Sequence, residues 1–223
     1  MDIWEAMEKR HSVRKYTDKP VEDAAAAELS AFIAQCNEAS GLHMQLCLDE
    51  PGAFSGRMAR YGSFVNVRNY IAIVGDKHME NLDDACGYYG EKVVLKATQL
   101  GLSTCWVAMT YSKGRAACKV EKGEKLCIVI AVGYGATEGV PHKNRPMEHL
   151  CQVDGDMPDW FRRGMEAAML APTATNQQKF LLTLRGDGTV KAQALSGFYT
   201  KIDLGIVKCH FEYGAGTDGW KWG

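Results

Sequence analysis

"APTATNQQKFLLTL", residues 171–184, converts one periodicity into another. Before it, "PDWFRRGMEAAML" (158–170) carries apolar residues at helical spacing, with Pro158 suited to a first turn. Pro172 stops that helix. Thr173, Thr175 and Asn176 make a small polar turn, and Phe180, Leu182 and Leu184 then alternate as one face of a strand does. A second stretch has the same order. "NEASGLHMQLCL" (37–48) ends a helix-forming run, crosses a small turn and alternates through Met44, Leu46 and Leu48. With Gln45 laid on Gln178, Ser40 falls on Thr173, Ala39 on Pro172 and His43 on Asn176. Farther on, 83–97 and 201–215 are both helical runs containing acids and glycines that follow strand signals. The identity is weak and helix–turn–strand order is common, so pattern alone leaves both repetition and chance open.

The remaining elements interleave. Asp2 with Glu5 forms a capping-box-like start to a short helix. "VEDAAAAELSAFIAQC" (21–36) predicts a helix burying Ala25, Leu29, Phe32 and Cys36. "EPGAFSGRMARYGSF" (50–64) has the composition of a loop, and "NYIAIVGD" (69–76) that of a buried strand. A helix is expected from about Leu82, with Gly101 just past its end. "EKLCIVIAVGYG" (124–135) is the clearest strand, "CQVDGDMP" (151–158) reads as a connector, and "GDG" (186–188) marks a hairpin before a closing helix. The class is mixed, α+β or α/β.

The bulk numbers narrow the function. The chain has 223 residues, 24% of them charged, with net charge −1, which offers no global field for nucleic acid or anionic membrane. No apolar run approaches the roughly 20 residues of a membrane span, and the N-terminus lacks a signal-peptide core, so a cytoplasmic location is expected. Eight cysteines without a CxxC pair read as small buried hydrophobes in a reducing compartment. His78, His142, His149 and His210 show no metal-ligand spacing, so no metal is expected. "GYGATEG" (133–139) opens no helix, which excludes a Rossmann phosphate loop. Trp160, Trp220 and Trp222 read as packing residues.

"RHSVRKY" (10–16) is locally basic. It is either a solvated turn or an anion site; if it is extended, residues 10, 12 and 14 face one way. Taken with "APTATNQQ", it resembles the flavin-dependent nitroreductase family. The R-x-S-x-R motif is matched by Arg10, Ser12 and Arg14, and P-S-x-x-N-x-Q by Pro172, Thr173, Asn176 and Gln178. "LGLSTCWVA" and the strand leading to "PHKNRP" are softer matches. The resemblance implies an α+β fold, with a central mixed or antiparallel sheet surrounded by helices. It implies FMN as cofactor, NAD(P)H as electron donor and an electron-poor small-molecule acceptor of nitroaromatic or quinone type.

By the same resemblance, Arg10 and Ser12 or Arg14 would divide phosphate and ring-edge contacts of FMN, His11 would supply backbone or ring contacts, and Lys143 and Arg145 would complete the phosphate clamp. Asn176 and Gln178 would meet the pyrimidine edge, Pro172 and Thr173 would shape their turn, and the backbone of Val107 and Ala108 would approach N5. Glycine is common in relatives where Ala108 stands. No catalytic acid or nucleophile is implied, since the flavin carries the chemistry. The intact P-S-x-x-N-x-Q lies late, whereas relatives carry it early and share the site across a dimer. The chain therefore resembles a fused pseudo-dimer: a first half (1–152) and a truncated second repeat (153–223) completing one flavin site. It would be a monomer in this sense, or a homodimer. The rival expectations are a flavin-binding protein without turnover and a degenerate flavin-free member.

Overall fold

Hydropathy period sorts the chain into six helices and eight strands. The helices are α1 (Ile3–Lys9), α2 (Asp23–Ser40), α3 (Arg57–Tyr61), α4 (Leu82–Gln99), α5 (Asp159–Ala168) and α6 (Thr200–Ala215). The strands are β1 (His43–Cys47), β2 (Asn69–Asp76), β3 (Ser103–Val107), β4 (Glu124–Gly133), β5 (Cys151–Val153), β6 (Phe180–Leu184), β7 (Thr189–Ala194) and β8 (Lys221–Trp222). This computed structural model describes residues 1–223. They gather into two compact units, each discontinuous in sequence. One comprises Lys9–Leu82 with Lys92–Pro141, the other Met1–Glu8, Asp83–Glu91 and His142–Gly223. No helix is long and apolar enough to cross a membrane.

The first unit is built on an antiparallel sheet of order β1-β2-β4-β3. Tyr70, Ile71, Ala72, Ile73 and Val74 are all fully buried, and Val129, Ile130 and Ala131 oppose Ala72, Ile71 and Tyr70 in β4. A strand buried on both faces shows a continuous apolar run rather than alternation. On one face Tyr70, Ala72, Val129 and Ala131 pack with Val13, Tyr16, Phe54, Phe64 and Val107. The stretch expected to be a plain loop folds into a 3-10 turn at Pro51–Phe54 followed by α3; Ala53, Phe54 and Ala59 are its anchors in that core. In α2 the buried residues are Leu29, Ile33 and Cys36, so Ile33 rather than Phe32 lies at the centre of the apolar face. Leu48 falls beyond β1 and is exposed, so the alternation ends one step earlier than expected.

The second unit has a mixed sheet of order β5-β6-β7-β8. The expected hairpin is β6–β7, antiparallel, while β5 and β8 add in parallel at its two edges. The presumed connector thus contributes a strand. Three residues between Gly- and Asp-rich flanks are too few for a period to register.

Within this unit the first half of α4 crosses α6 at backbone distance. A Cβ on Gly87 would stand 2.0 Å from the Ile202 carbonyl oxygen and 2.9 Å from the Ile206 nitrogen. A Cβ on Gly205 would stand 2.1 Å from the Asp84 carbonyl oxygen and 2.7 Å from the Tyr88 nitrogen. The contact is reciprocal: one constant shift along the chain carries Asp84, Gly87 and Tyr88 onto Ile202, Gly205 and Ile206. The same shift carries the end of β2 onto the end of β7 and the start of α4 onto the start of α6. Around the crossing, Lys208 pairs with Asp84 at 2.9 Å, Tyr88 donates to Glu212, and His210 meets Glu91 at 2.8 Å with both side chains fully buried.

At the exposed end of the unit Trp160 stacks on Trp220 at 5.8 Å, and Trp222 meets Phe211 at 5.4 Å. All eight cysteines are free, six of them buried.

Backbone contact leaves no room for a methyl group. Gly87→Ala and Gly205→Ala are each expected to lower unfolding stability in urea by about 1–3 kcal/mol, the usual effect of overpacking. Gly114→Ala, whose Cβ would meet nothing within 4 Å, should change it by less than about 0.5 kcal/mol. Equal behaviour of all three would contradict the crossing.

Candidate functional site

The basic segment lies in the first unit. Ser12 forms a parallel bridge with Thr104 at the start of β3, and the Val13 amide donates to the Thr104 carbonyl at 2.9 Å. Val65 donates to the Arg14 carbonyl and receives from the Tyr16 amide. The segment is thereby extended and pinned on two sides. Val13 and Tyr16 enter the core, and the Tyr16 hydroxyl donates to the Val13 carbonyl at 2.8 Å. Burial holds the Tyr16 phenol well above its ordinary pKa. Arg10 is buried, Ser12 half-buried and Arg14 exposed.

All three residues act on the buried Cys105 thiol. Burial raises the Cys105 pKa, while the charge of Arg14, a hydrogen bond with Ser12 and the charge of Arg10 pull it down. The loop after β4 packs onto the same segment. Gly139, at φ +75°, brings its backbone so close that a Cβ would stand 2.7 Å from the His11 Cβ; at Gly135 a Cβ would meet the Ser103 hydroxyl at 2.7 Å. His11 Nδ1 lies 3.2 Å from the Glu138 carbonyl, so that nitrogen carries the proton and donates. Val107 is buried at the end of β3, with Ala108 half-buried just beyond it.

The Thr173–Gln178 turn belongs to the second unit. Thr175, Asn176 and Gln178 all have left-handed backbones, at φ 50°, 56° and 46°. Three such non-glycine residues in one turn are rare, and the β-branched Thr175 is a true outlier. Side chains hold the shape. The Gln178 amide nitrogen of the backbone donates to Thr173 Oγ1 at 3.0 Å. The Gln178 side chain donates to the Lys143 carbonyl at 2.9 Å and to Asn176 Oδ1 at 3.0 Å, and accepts from the Arg145 backbone at 2.9 Å. Asn176 Nδ2 donates to the same Lys143 carbonyl at 2.8 Å. Lys143 therefore contributes backbone to this turn, and the exposed Arg145 contributes its backbone amide and a guanidinium bond to the Gln178 carbonyl at 3.4 Å. Gln178 is buried with both its amide hydrogens committed. Asn176 is exposed and keeps one amide hydrogen and one acceptor lone pair. Pro172 and Thr173 are half-buried at the start of the turn.

Asp203 and Gln177 complete this network, and the motif reading misses both. The buried Asp203 carboxylate accepts from the Ala174 amide at 3.0 Å and from Gln177 Nε2 at 2.8 Å. Gln177 Nε2 also donates to the Phe198 carbonyl at 2.8 Å. Burial pushes the Asp203 pKa up to about 6 against the pull of these two bonds. A signal existed: in "IDLGIV" a lone acid interrupts an otherwise apolar helical run.

A family model described as "Putative TM nitroreductase" matches residues 2–215. A "putative nitroreductase" from Thermotoga maritima is 23% identical with a TM-score of 0.65, covering 95% of this chain and 82% of that one. A nitroreductase from Desulfovibrio desulfuricans, solved in complex with FMN, is 20% identical with a TM-score of 0.52, covering 71% of this chain and 98% of that one. A Bacteroides thetaiotaomicron protein described as a "Putative NADH dehydrogenase/NAD(P)H nitroreductase" is 19% identical with a TM-score of 0.52, covering 66% and 95%. These structures share the fold. No curated protein matches the chain.

Asp203 also gives a pH dependence with a definite sign. Its folded pKa, about 6, exceeds the ordinary 3.8, so the native state holds the proton more tightly than the unfolded chain. Its contribution to stability is present below about pH 4 and is lost as pH rises through about 6. The loss amounts to about 2–3 kcal/mol. Urea unfolding of Asp203→Asn and wild type should therefore show the difference between them shifting in the variant's favour by that amount from pH 4 to pH 7. A difference constant across that range would contradict the assignment.

Proposed function

The chain belongs to this nitroreductase family, and on that premise we propose that it is an FMN-dependent oxidoreductase. It would take electrons from NAD(P)H and pass them to an electron-poor small molecule of nitroaromatic or quinone type. The observation that supports the reading is the basic segment held extended between Thr104 and Val65, with Arg10, Ser12 and Arg14 at alternate positions along it. That donor set suits a phosphate dianion, since guanidinium groups stay charged and donate two parallel hydrogen bonds. His11 shapes the segment through Glu138. Lys143 and Arg145, both exposed, are further phosphate candidates.

On the ring side, Asn176 has the uncommitted donor and acceptor that a pyrimidine edge requires. Gln178 acts behind it, fixing Asn176 through the 3.0 Å bond rather than offering its own amide. Val107 and Ala108 remain the candidates for backbone approach to N5. Bound FMN supplies the electron-transfer chemistry, and the protein residues bind it and hold its ring. The NAD(P)H donor is inferred from the description of the Bacteroides relative. The free cysteines fit a reducing compartment such as the cytoplasm.

We further infer that the chain is a fused pair of unequal repeats, residues 1–152 and 153–223. The support is the reciprocal glycine contact of α4 and α6. An isologous contact, in which i meets j and j meets i, is the mark of a two-fold dimer interface. In the second repeat a four-residue hairpin bend (185–188) replaces the long connection between β1 and β2.

Protein soaked in FMN and passed through gel filtration should retain about one flavin per chain and elute as a monomer by light scattering. NAD(P)H should bleach the flavin band without oxygen. Arg14→Ala should weaken FMN binding about tenfold and leave riboflavin, which lacks the phosphate, unaffected. Retention of no flavin overturns the reading. A band that NAD(P)H leaves unbleached reduces it to a binding protein, and two flavins per chain would mean that the "EASGLHMQ" copy also binds.

A further inference from the structure

We propose that Asp203 is a positioning residue for the flavin ring: it holds the Thr173–Gln178 turn in the left-handed form that presents Asn176. The inference rests on the flavin reading above and adds to it a residue outside both motifs.

The geometry leaves Asp203 two partners on one short segment. One carboxylate oxygen takes the Ala174 amide and the other takes the Gln177 side chain, so residues on both sides of Thr175 are tied to α6. Both partners are donors. The two carboxylate oxygens accept one bond each. Gln177 in turn bridges Asp203 to the Phe198 carbonyl, which ties the turn to the approach of α6 as well. A residue placed only to stabilise α6 would have no need to reach backward to Ala174 and Gln177.

The proposed repeat offers a second line of support. The constant shift that carries Gly87 onto Gly205 carries Ala85 onto Asp203. In the first repeat the turn at "EASGLHMQ" lacks the proline and the asparagine, and the acid is missing with them. The clamp and the segment it holds are present together in one copy and absent together in the other.

The test uses the full chain, first without flavin. Hydrogen exchange at the amides of Ala174 and Asn176 is compared in wild type and Asp203→Asn, with exchange in β2 and β4 as an internal reference. Affinities for FMN and riboflavin are then read from quenching of flavin fluorescence. We expect exchange in the turn to rise at least tenfold in the variant while β2 and β4 stay protected. FMN and riboflavin should weaken by the same factor, about tenfold, because the ring contact is lost and the phosphate contact is kept. That equality distinguishes Asp203→Asn from Arg14→Ala, which affects FMN alone. Gln177→Ala removes the same clamp from the other side and should give the same pattern if Asp203→Asn does not fold.

Unchanged exchange in the turn overturns the proposal, as does a loosened turn with unchanged flavin affinity. If wild-type protein binds neither flavin, the flavin reading falls and the proposal falls with it; normal wild-type binding with an indifferent variant removes the proposal alone.

Discussion

The close crossing of α4 and α6 is the constraint on which the second unit depends. Backbone meets backbone at Gly87 and Gly205, so the side chains flanking the contact fall into fixed pairs. The most demanding is Glu91 with His210, both fully buried. His210 Nδ1 lies 3.1 Å from the Ala167 carbonyl and must donate to it, which leaves Nε2 facing Glu91. Nε2 and the carboxylate lie 2.8 Å apart, a distance that depends on the separation of the two helices. Removing either member strands the other, typically a loss of about 3–5 kcal/mol. The glycines therefore do more than permit contact: they set the distance at which a buried polar pair is complete.

α5 extends the same logic. The Gly164 backbone lies against the Phe211 ring, and a Cβ on Gly214 would stand 2.4 Å from the Arg163 carbonyl oxygen. Three helices thus meet through small residues, and the aromatic side chains displaced from those contacts collect at the end, where Trp160, Phe211, Trp220 and Trp222 stack edge and face. This explains why β8, only two residues long, is held in place: Trp222 Nε1 donates to Glu212 at 2.7 Å and its ring lies under Lys208.

Much of this was legible, and the reasons differ by element. β2 and β4 announce themselves because a strand buried on both faces needs an unbroken apolar run. The basic segment stands out as two arginines and a serine at alternate positions, and the structure holds it extended. β5 and β8 were silent, since two or three residues carry no period and pair only because β6 and β7 already exist. The glycines of α4 and α6 were visible as letters, but their reciprocity is a fact of three dimensions. Asp203 was hidden for a related reason. An acid on an apolar helix face reads as an exception until the donors that face it are known, and those donors lie some 30 positions earlier, in a turn whose motif residues drew the eye instead.

The turn itself shows what those donors are for. Left-handed backbone at Thr175, Asn176 and Gln178 costs of the order of 1–3 kcal/mol for each strained residue, and burial of Asp203 adds to that total. Glycine would relieve that strain at Thr175 and Gln178, and a surface position would relieve the acid. Here Asp203, Gln177, Thr173 Oγ1 and the Lys143 carbonyl tie the strained residues down, and the exposed Asn176 keeps one amide hydrogen uncommitted. Strain of this kind persists only where the surroundings overdetermine it, and here hydrogen bonds from α6, from Thr173 and from the Lys143 backbone do so.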